Sequence, residues 1–130
     1  FGISGTAGAA ISSDAMAIST LSGAMTLNTL KSFLSISGSG GSMPCLTVIT
    51  NDATARTIRV KVTIDGVAYD FTSATISTSG NGVVLAGRND ATLASRTPPI
   101  VWKSTLVIEV ASSVTETDKL TLEWIYNTEA

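Results

Sequence analysis

The feature that most constrains this chain is a strict alternation on either side of one dipeptide. Ile58, Val60, Val62 and Ile64 alternate with Arg59, Lys61 and Thr63, the period that puts one row of side chains into an apolar interior and the other into water. Asp65-Gly66 follows, a pair suited to the two positive φ angles of a type I′ turn, and then Val67, Tyr69 and Phe71 alternate with Ala68 and Asp70. A two-residue turn fixes the register, so Ile64 is expected opposite Val67, Val62 opposite Tyr69, Val60 opposite Phe71 and Lys61 opposite Asp70. Every apolar pair then falls on one face, expected to be buried, and the opposite charges fall on the other.

A second hairpin is predicted near the C-terminus. Leu106, Ile108 and Val110 alternate with Thr105, Val107 and Glu109, and after a polar connection Leu120, Leu122, Trp124 and Tyr126 alternate with Thr121, Glu123 and Ile125. The expected pairs are Ile108 with Leu120, Leu106 with Leu122, Trp102 with Tyr126 and Glu109 with Lys119. Shorter strands are predicted at Leu46 to Thr50 after Pro44, and at Val83-Val84-Leu85-Ala86 after Ser79-Gly80-Asn81-Gly82. A lone hairpin is marginal in water. Two such ribbons must therefore cover each other's apolar faces, which predicts an all-β antiparallel β-sandwich or jelly roll.

Composition agrees with strands. Ser and Thr number 17 and 19 of 130 residues; Thr suits the wet face of a sheet, and both compete with the backbone inside helices. The chain divides into two compositional parts. Asp14 and Lys31 are the only charges in the first 42 residues, which hold 7 of the 11 glycines. Ser37-Gly38-Ser39-Gly40-Gly41-Ser42 reads as a flexible loop or hinge at the boundary. The expected organisation is a Gly/Ala/Ser-rich, weakly charged arm or assembly segment at 1–42 and a β-sandwich domain at 43–130, together one compact unit. Leu27, Leu30 and Leu34 have helical spacing and Asp14 suits a helix cap. Leu30, Ser32, Leu34 and Ile36 fit a strand equally well, and the strand reading is preferred. So little charge suggests cover from the rest of the domain or from a neighbouring subunit.

Several function classes are disfavoured. The chain has no His and one Cys, Cys45, which removes the usual base of a Ser or Cys triad, the imidazole ligands of most zinc and copper sites, and an intrachain disulfide. Eight basic against ten acidic residues leave no positive excess for phosphates, so no nucleic-acid partner is expected. No stretch offers about 18 unbroken apolar residues, so no membrane partner is expected either. The chain starts at Phe1 without a basic segment ahead of an apolar run, which reads as a product trimmed or processed upstream.

The residues suited to a ligand platform are Tyr126, Trp124, Trp102 and Tyr69, whose faces can stack on sugars; each is also in phase with the apolar side of its strand, and core packing is the preferred role. Among the acids, Asp65 belongs to a turn, Asp70 and Glu109 have expected cross-strand cations, and Glu116 and Asp118 lie in a connection. No pair stands out for glycoside hydrolysis, and no catalytic residue is assigned. Gly87-Arg88-Asn89-Asp90 and Asn51-Asp52 read as turns without the carboxylate spacing of a calcium loop, so neither a metal nor a cofactor is expected. Arg56, Arg59 and Lys61 form a local positive cluster; Arg59 and Lys61, on the outer face of one strand, read as a solvated face or edge protection, with an interface to an acidic surface as the alternative. Cys45 reads as a small buried hydrophobe.

Three stretches carry a resemblance: Val60-Lys61-Val62-Thr63-Ile64-Asp65-Gly66, Pro98-Pro99-Ile100-Val101-Trp102-Lys103-Ser104-Thr105-Leu106-Val107-Ile108-Glu109-Val110, and Lys119-Leu120-Thr121-Leu122-Glu123-Trp124-Ile125-Tyr126. Over roughly residues 45 to 127 the chain resembles the small β-sandwich virion proteins of tailed bacteriophages, of the head-decoration, fibre or tail-tip type. The resemblance implies a non-enzymatic, multi-copy, trimeric component on the outside of a particle, contacting other virion proteins. The expected role is structural assembly through strand edges and the N-terminal segment, in a virion or at an extracellular surface. The alternative is a carbohydrate- or receptor-binding module for a host-surface glycan, using exposed aromatics and loop hydroxyls.

Overall fold

The computed structural model describes residues 11–20, 24–88 and 96–129. Twelve strands are present in them: β1 (Ile11–Thr20), β2 (Ala24–Met25), β3 (Lys31–Ser37), β4 (Gly41–Thr50), β5 (Ile58–Ile64), β6 (Val67–Thr72), β7 (Gly82–Arg88), β8 (Arg96–Thr97), β9 (Ile100–Trp102), β10 (Thr105–Ser112), β11 (Glu116–Thr117) and β12 (Leu120–Glu129). The fold is all-β, with two principal antiparallel sheets. One runs β1-β12-β4-β7-β8, with β9 also paired to β4; the other runs β3-β10-β5-β6; β2 and β11 form a separate short ribbon. No helix among the described residues is long and apolar enough to cross a membrane. The 1–42 segment supplies the outer strands β1 and β3, one to each sheet.

The β5–β6 hairpin has the expected register, with Ile64 opposite Val67, Val62 opposite Tyr69, Val60 opposite Phe71 and Lys61 opposite Asp70. Asp65 and Gly66 have φ of 50° and 86°, the two left-handed residues of a type I′ turn, whose twist matches that of the flanking strands. One hydrophobic cluster draws on both sheets: Leu46, Val48, Leu120 and Leu122 from the larger, and Val60, Val62, Leu106, Ile108 and Val110 from the smaller. The burial pattern of β5, β10 and the first half of β12 is the alternation that the sequence displays.

Three expectations are corrected. First, β10 and β12 do not pair with each other. Strand β10 lies between β3 and β5, so Ile108 faces Leu34 and Val62, and Glu109 faces Ser32 and Lys61 instead of Lys119. Strand β12 lies between β1 and β4, with Leu122 opposite Val48 and Ser19. The connection between them carries β11, which pairs with β2, and so passes from one sheet to the other. Alternation specifies which face of a strand is buried; it does not specify the neighbour, and a long connection leaves that to tertiary packing.

Second, the Gly-rich 37–42 segment is a loop only at Gly38-Ser39-Gly40, between β3 and β4. Gly41 and Ser42 belong to β4 and pair on one side with Trp102 and Val101 and on the other with Thr128 and Asn127. A Cβ on Gly41 would lie 2.0 Å from the Asn127 carbonyl oxygen, so the glycine is there for close backbone approach and not for mobility. Pro44, inside β4, sits where the β12 ladder shifts register between Ile125 and Asn127 and between the segments paired to β9 and β7. A residue without an N–H is accommodated there because neither ladder asks it for a donor.

Third, Val67, Tyr69 and Phe71 are on the apolar face but are not buried: they are 55%, 59% and 47% exposed. Strand β6 is the last in its sheet, and its inward row projects past the hydrophobic cluster.

Candidate functional site

The four aromatic candidates occupy different environments. Trp102 is fully buried and its Nε1–H donates to the Ser39 carbonyl at 2.9 Å. Tyr126 tilts against it with ring centroids 6.4 Å apart. Trp124 is half-buried against Phe33, 5.9 Å between centroids, and both Trp124 and Tyr126 pack on the core cluster. Tyr69 alone is largely exposed, on the opposite sheet. The fold therefore brings Trp102 and Tyr126 together as core material and leaves Tyr69 at a surface with a different set of neighbours.

That surface is an open apolar cleft of about 230 Å³ at the margin of the two sheets. Its walls are Val62, Ile64, Tyr69 and Phe71 from the β5–β6 hairpin, and Leu85 of β7 and Ile100 of β9 from the other sheet. The hairpin's turn is fixed in place by its own Asp65, whose carboxylate reaches beyond the turn. Asp65 accepts the backbone N–H groups of Lys103, Ser104 and Thr105 at 2.9, 2.7 and 3.0 Å, and the Ser104 hydroxyl at 3.0 Å. The Thr105, Ser104 and Lys103 backbone donors hold its pKa at about 2, below the usual 3.8, because a carboxylate accepting several N–H groups is stabilised in its charged form. Asp70, on the wet face of β6, is held by a fork from Arg59 at 2.6 and 2.9 Å. The expected salt partner Lys61 is directly across, but the longer, planar guanidinium takes the carboxylate diagonally.

A second concavity lies above β12, β4 and β7, roofed by the connection from β6 to β7; it measures about 570 Å³ and is mainly polar. Thr47 and Glu123 form its floor, and Thr75, Ser77, Thr78 and Asn81 contribute from the roof. The buried Thr50 holds that roof, donating its hydroxyl toward the carbonyls of Thr78 and Asn81 at 3.1 and 3.0 Å and receiving the Gly80 N–H on its own carbonyl at 2.8 Å. The Glu123 carboxylate accepts no hydrogen bond from a described residue. Gly80-Asn81-Gly82 thus edges a hydroxyl-lined cleft, a grouping that the spacing of these residues along the chain does not reveal.

The positive cluster divides. Arg59 lies at the surface, paired with Asp70, whereas the Arg56 side chain is fully buried, ion-paired with Asp52 and, through Nε at 2.8 Å, with Glu116. The guanidinium holds the Asp52 carboxyl below its ordinary range. Arg56 also exchanges two backbone hydrogen bonds with Ile76, at 3.0 and 2.7 Å, so it ties the approach to β5 to the β6–β7 connection and to β11. Cys45 is a half-buried free thiol on β4. Among the described residues no group of three or more His, Cys, Asp and Glu side chains is placed to hold a metal ion; of the expected turn at Gly87-Arg88-Asn89-Asp90, Gly87 and Arg88 instead close β7, paired with Thr97 and Arg96, and Asn89 and Asp90 lie outside the described residues.

Searches of protein-family models, of curated proteins and of solved structures find no match to this chain.

Proposed function

We propose that this chain is a non-enzymatic structural protein that works in many copies, as a capsid-decoration, head-fibre or tail-fibre component of a virion, with its two sheets closed face to face as a sandwich of jelly-roll type. The single observation that carries the reading is the β6 margin, where three large apolar side chains stand in water beside a strand edge that no other described strand pairs with. Monomeric proteins normally shield such edges, and an apolar row left on one marks a surface meant to be covered. The one cluster fed by both sheets supports the sandwich. The exterior of a particle, with other virion proteins as neighbours, follows from the resemblance of the three β stretches. Sedimentation equilibrium of the purified chain across a wide concentration range is the test: self-association is expected, and a chain that stays monomeric throughout overturns the reading.

A second reading rests on the polar cleft over Glu123. A carboxylate that no described residue donates to, ringed by Thr and Ser hydroxyls and an amide, offers acceptors and donors in the mix that a polyhydroxylated ligand requires. Binding on a glycan array that Glu123→Gln abolishes, with the melting temperature unchanged, would favour a host-glycan module over a purely architectural one.

A further inference from the structure

We infer that β6 is a dimerisation strand: two copies of this chain join β6 to β6 across a two-fold axis at Tyr69, continuing the four-stranded sheet into one of eight strands. The inference rests on the assembly reading above and names the surface and register through which it acts.

In the two principal sheets, among the described residues, β1, β3, β6, β8 and β9 each have one unpaired edge, and all but β6 carry protection against pairing with another chain; β9 has only three residues and directly follows Pro98-Pro99. The ladder of β1 shifts register between Asp14 and Ala17, and that of β3 shifts opposite Ile108 and Glu109; such irregularities twist an edge away from further pairing. Strand β8 has two residues and runs into Pro98-Pro99. Strand β6 has six residues, an unshifted ladder, no proline and no lysine. Its only charge, Asp70, is already matched by Arg59.

The backbone geometry selects the register. In a type I′ hairpin the residues flanking the turn form a hydrogen-bonded pair, here Ile64 with Val67, and bonded pairs then alternate. The Ser73 N–H, bonded to the Ile58 carbonyl at 2.8 Å, confirms that odd-numbered residues of this arm bond inward to β5. The N–H and C=O groups of Ala68, Asp70 and Thr72 therefore point to the free edge. An antiparallel second copy must use them, and apolar must continue into apolar on the face bearing Val67, Tyr69 and Phe71. Two registers centred on this strand meet both conditions. Centring on Asp70 would set two Asp70 carboxylates opposite each other. Centring on Tyr69 sets Ala68 opposite Asp70 of the second copy, Val67 opposite Phe71, and Tyr69 opposite Tyr69, with no like charges facing. Charge selects the second arrangement, which covers the exposed row of each copy with that of the other and joins their two apolar clefts. The contact is isologous, unlike the three-fold arrangement implied by the resemblance to virion proteins.

The test is disulfide trapping in the full chain with Cys45→Ser. A non-hydrogen-bonded antiparallel pair has Cα atoms about 4.5 Å apart, within the range of about 4.4 to 6.8 Å that a disulfide spans. Tyr69→Cys is expected to give a cross-linked dimer under mild oxidation, whereas Val67→Cys and Phe71→Cys cross-link only when mixed. Ala68→Pro removes an edge-facing N–H without removing a bond to β5 and is expected to weaken association at least tenfold by sedimentation. Tyr69→Lys, at an exposed position, should do the same if the proline variant does not fold. Cross-linking at Asp70→Cys in place of Tyr69→Cys overturns the register. Association that survives both edge variants, with no trapping at Tyr69, overturns the inference and leaves the assembly reading standing. A chain monomeric at every concentration overturns both.

Discussion

Strands β5 and β6 are the two arms of one hairpin, with the same alternation and a shared ladder, yet their apolar rows meet opposite fates. Val60 and Val62 are 0% and 6% exposed while their direct partners Phe71 and Tyr69 are 47% and 59% exposed. Strand β5 has a neighbour on each side and the core beneath it; β6 has one neighbour among the described residues and lies over the cleft between the sheets. Burial is thus a property of a strand's place in its sheet, and alternation only fixes which face will be buried if cover is available. The difference separates the parts of the hairpin that hold the fold from the part left over for contact.

The largest test of this division acts where β5 begins. Replacing Arg56 by Met leaves Glu116, only 7% exposed at its side chain, without its cation; we expect a loss of about 4 kcal/mol by chemical denaturation, since stranding one charge of a buried pair is costly. On β5 itself, Ile58→Ala opens a cavity at a fully buried site and is expected to cost about 3 kcal/mol, measured in the same way. At the turn that joins the two arms, Asp65→Asn keeps the left-handed backbone but loses the charge that collects three backbone donors, so the melting temperature should fall at neutral pH. The sign with pH follows from the lowered pKa. A carboxylate at about 2 in the folded chain and near 3.8 when unfolded stabilises the fold above about pH 4 and loses that contribution as pH falls toward 2. The gap between wild type and Asp65→Asn should accordingly narrow over that window in melting curves taken at several pH values. The smallest effect belongs to β6: Val67→Ala should change monomer stability by under about 0.5 kcal/mol, while weakening self-association. A large loss of monomer stability there would erase the distinction between the two arms.

How much of this was legible follows from how local each signal is. The β5–β6 register was readable because a two-residue turn leaves no slack. The strands at β4 and β7 were readable from apolar runs bounded by turn residues. The expected pairing of β10 with β12 failed because both strands carry the same apolar alternation and the chain between them is long enough to cross to the other sheet. The role of Gly41 is not legible because glycine serves flexibility and close approach alike, and only the position of the Asn127 carbonyl distinguishes the two. The burial of Arg56 is not legible in the sequence because its partners, Asp52 and Glu116, converge on it from separate segments. Of the candidate site, Tyr69 was named from its residue type, but its companions Leu85 and Ile100 come from the opposite sheet and share no sequence pattern with it. Glu123 is not legible as a potential ligand group because nothing along β12 shows that the β6–β7 connection lines the same cleft.

The sequence alone determined that the chain would form strands, where the tightest turn would fall, and which side of β5, β10 and β12 would face inward, because these depend on side-chain period and on the φ preferences of adjacent residues. The tertiary structure decided which strands became neighbours, which glycines were packed, which arginine was buried and which apolar row was left in water. Those outcomes depend on contacts between residues far apart in the chain, whose proximity is set by the competition of all strands for a limited number of covered positions.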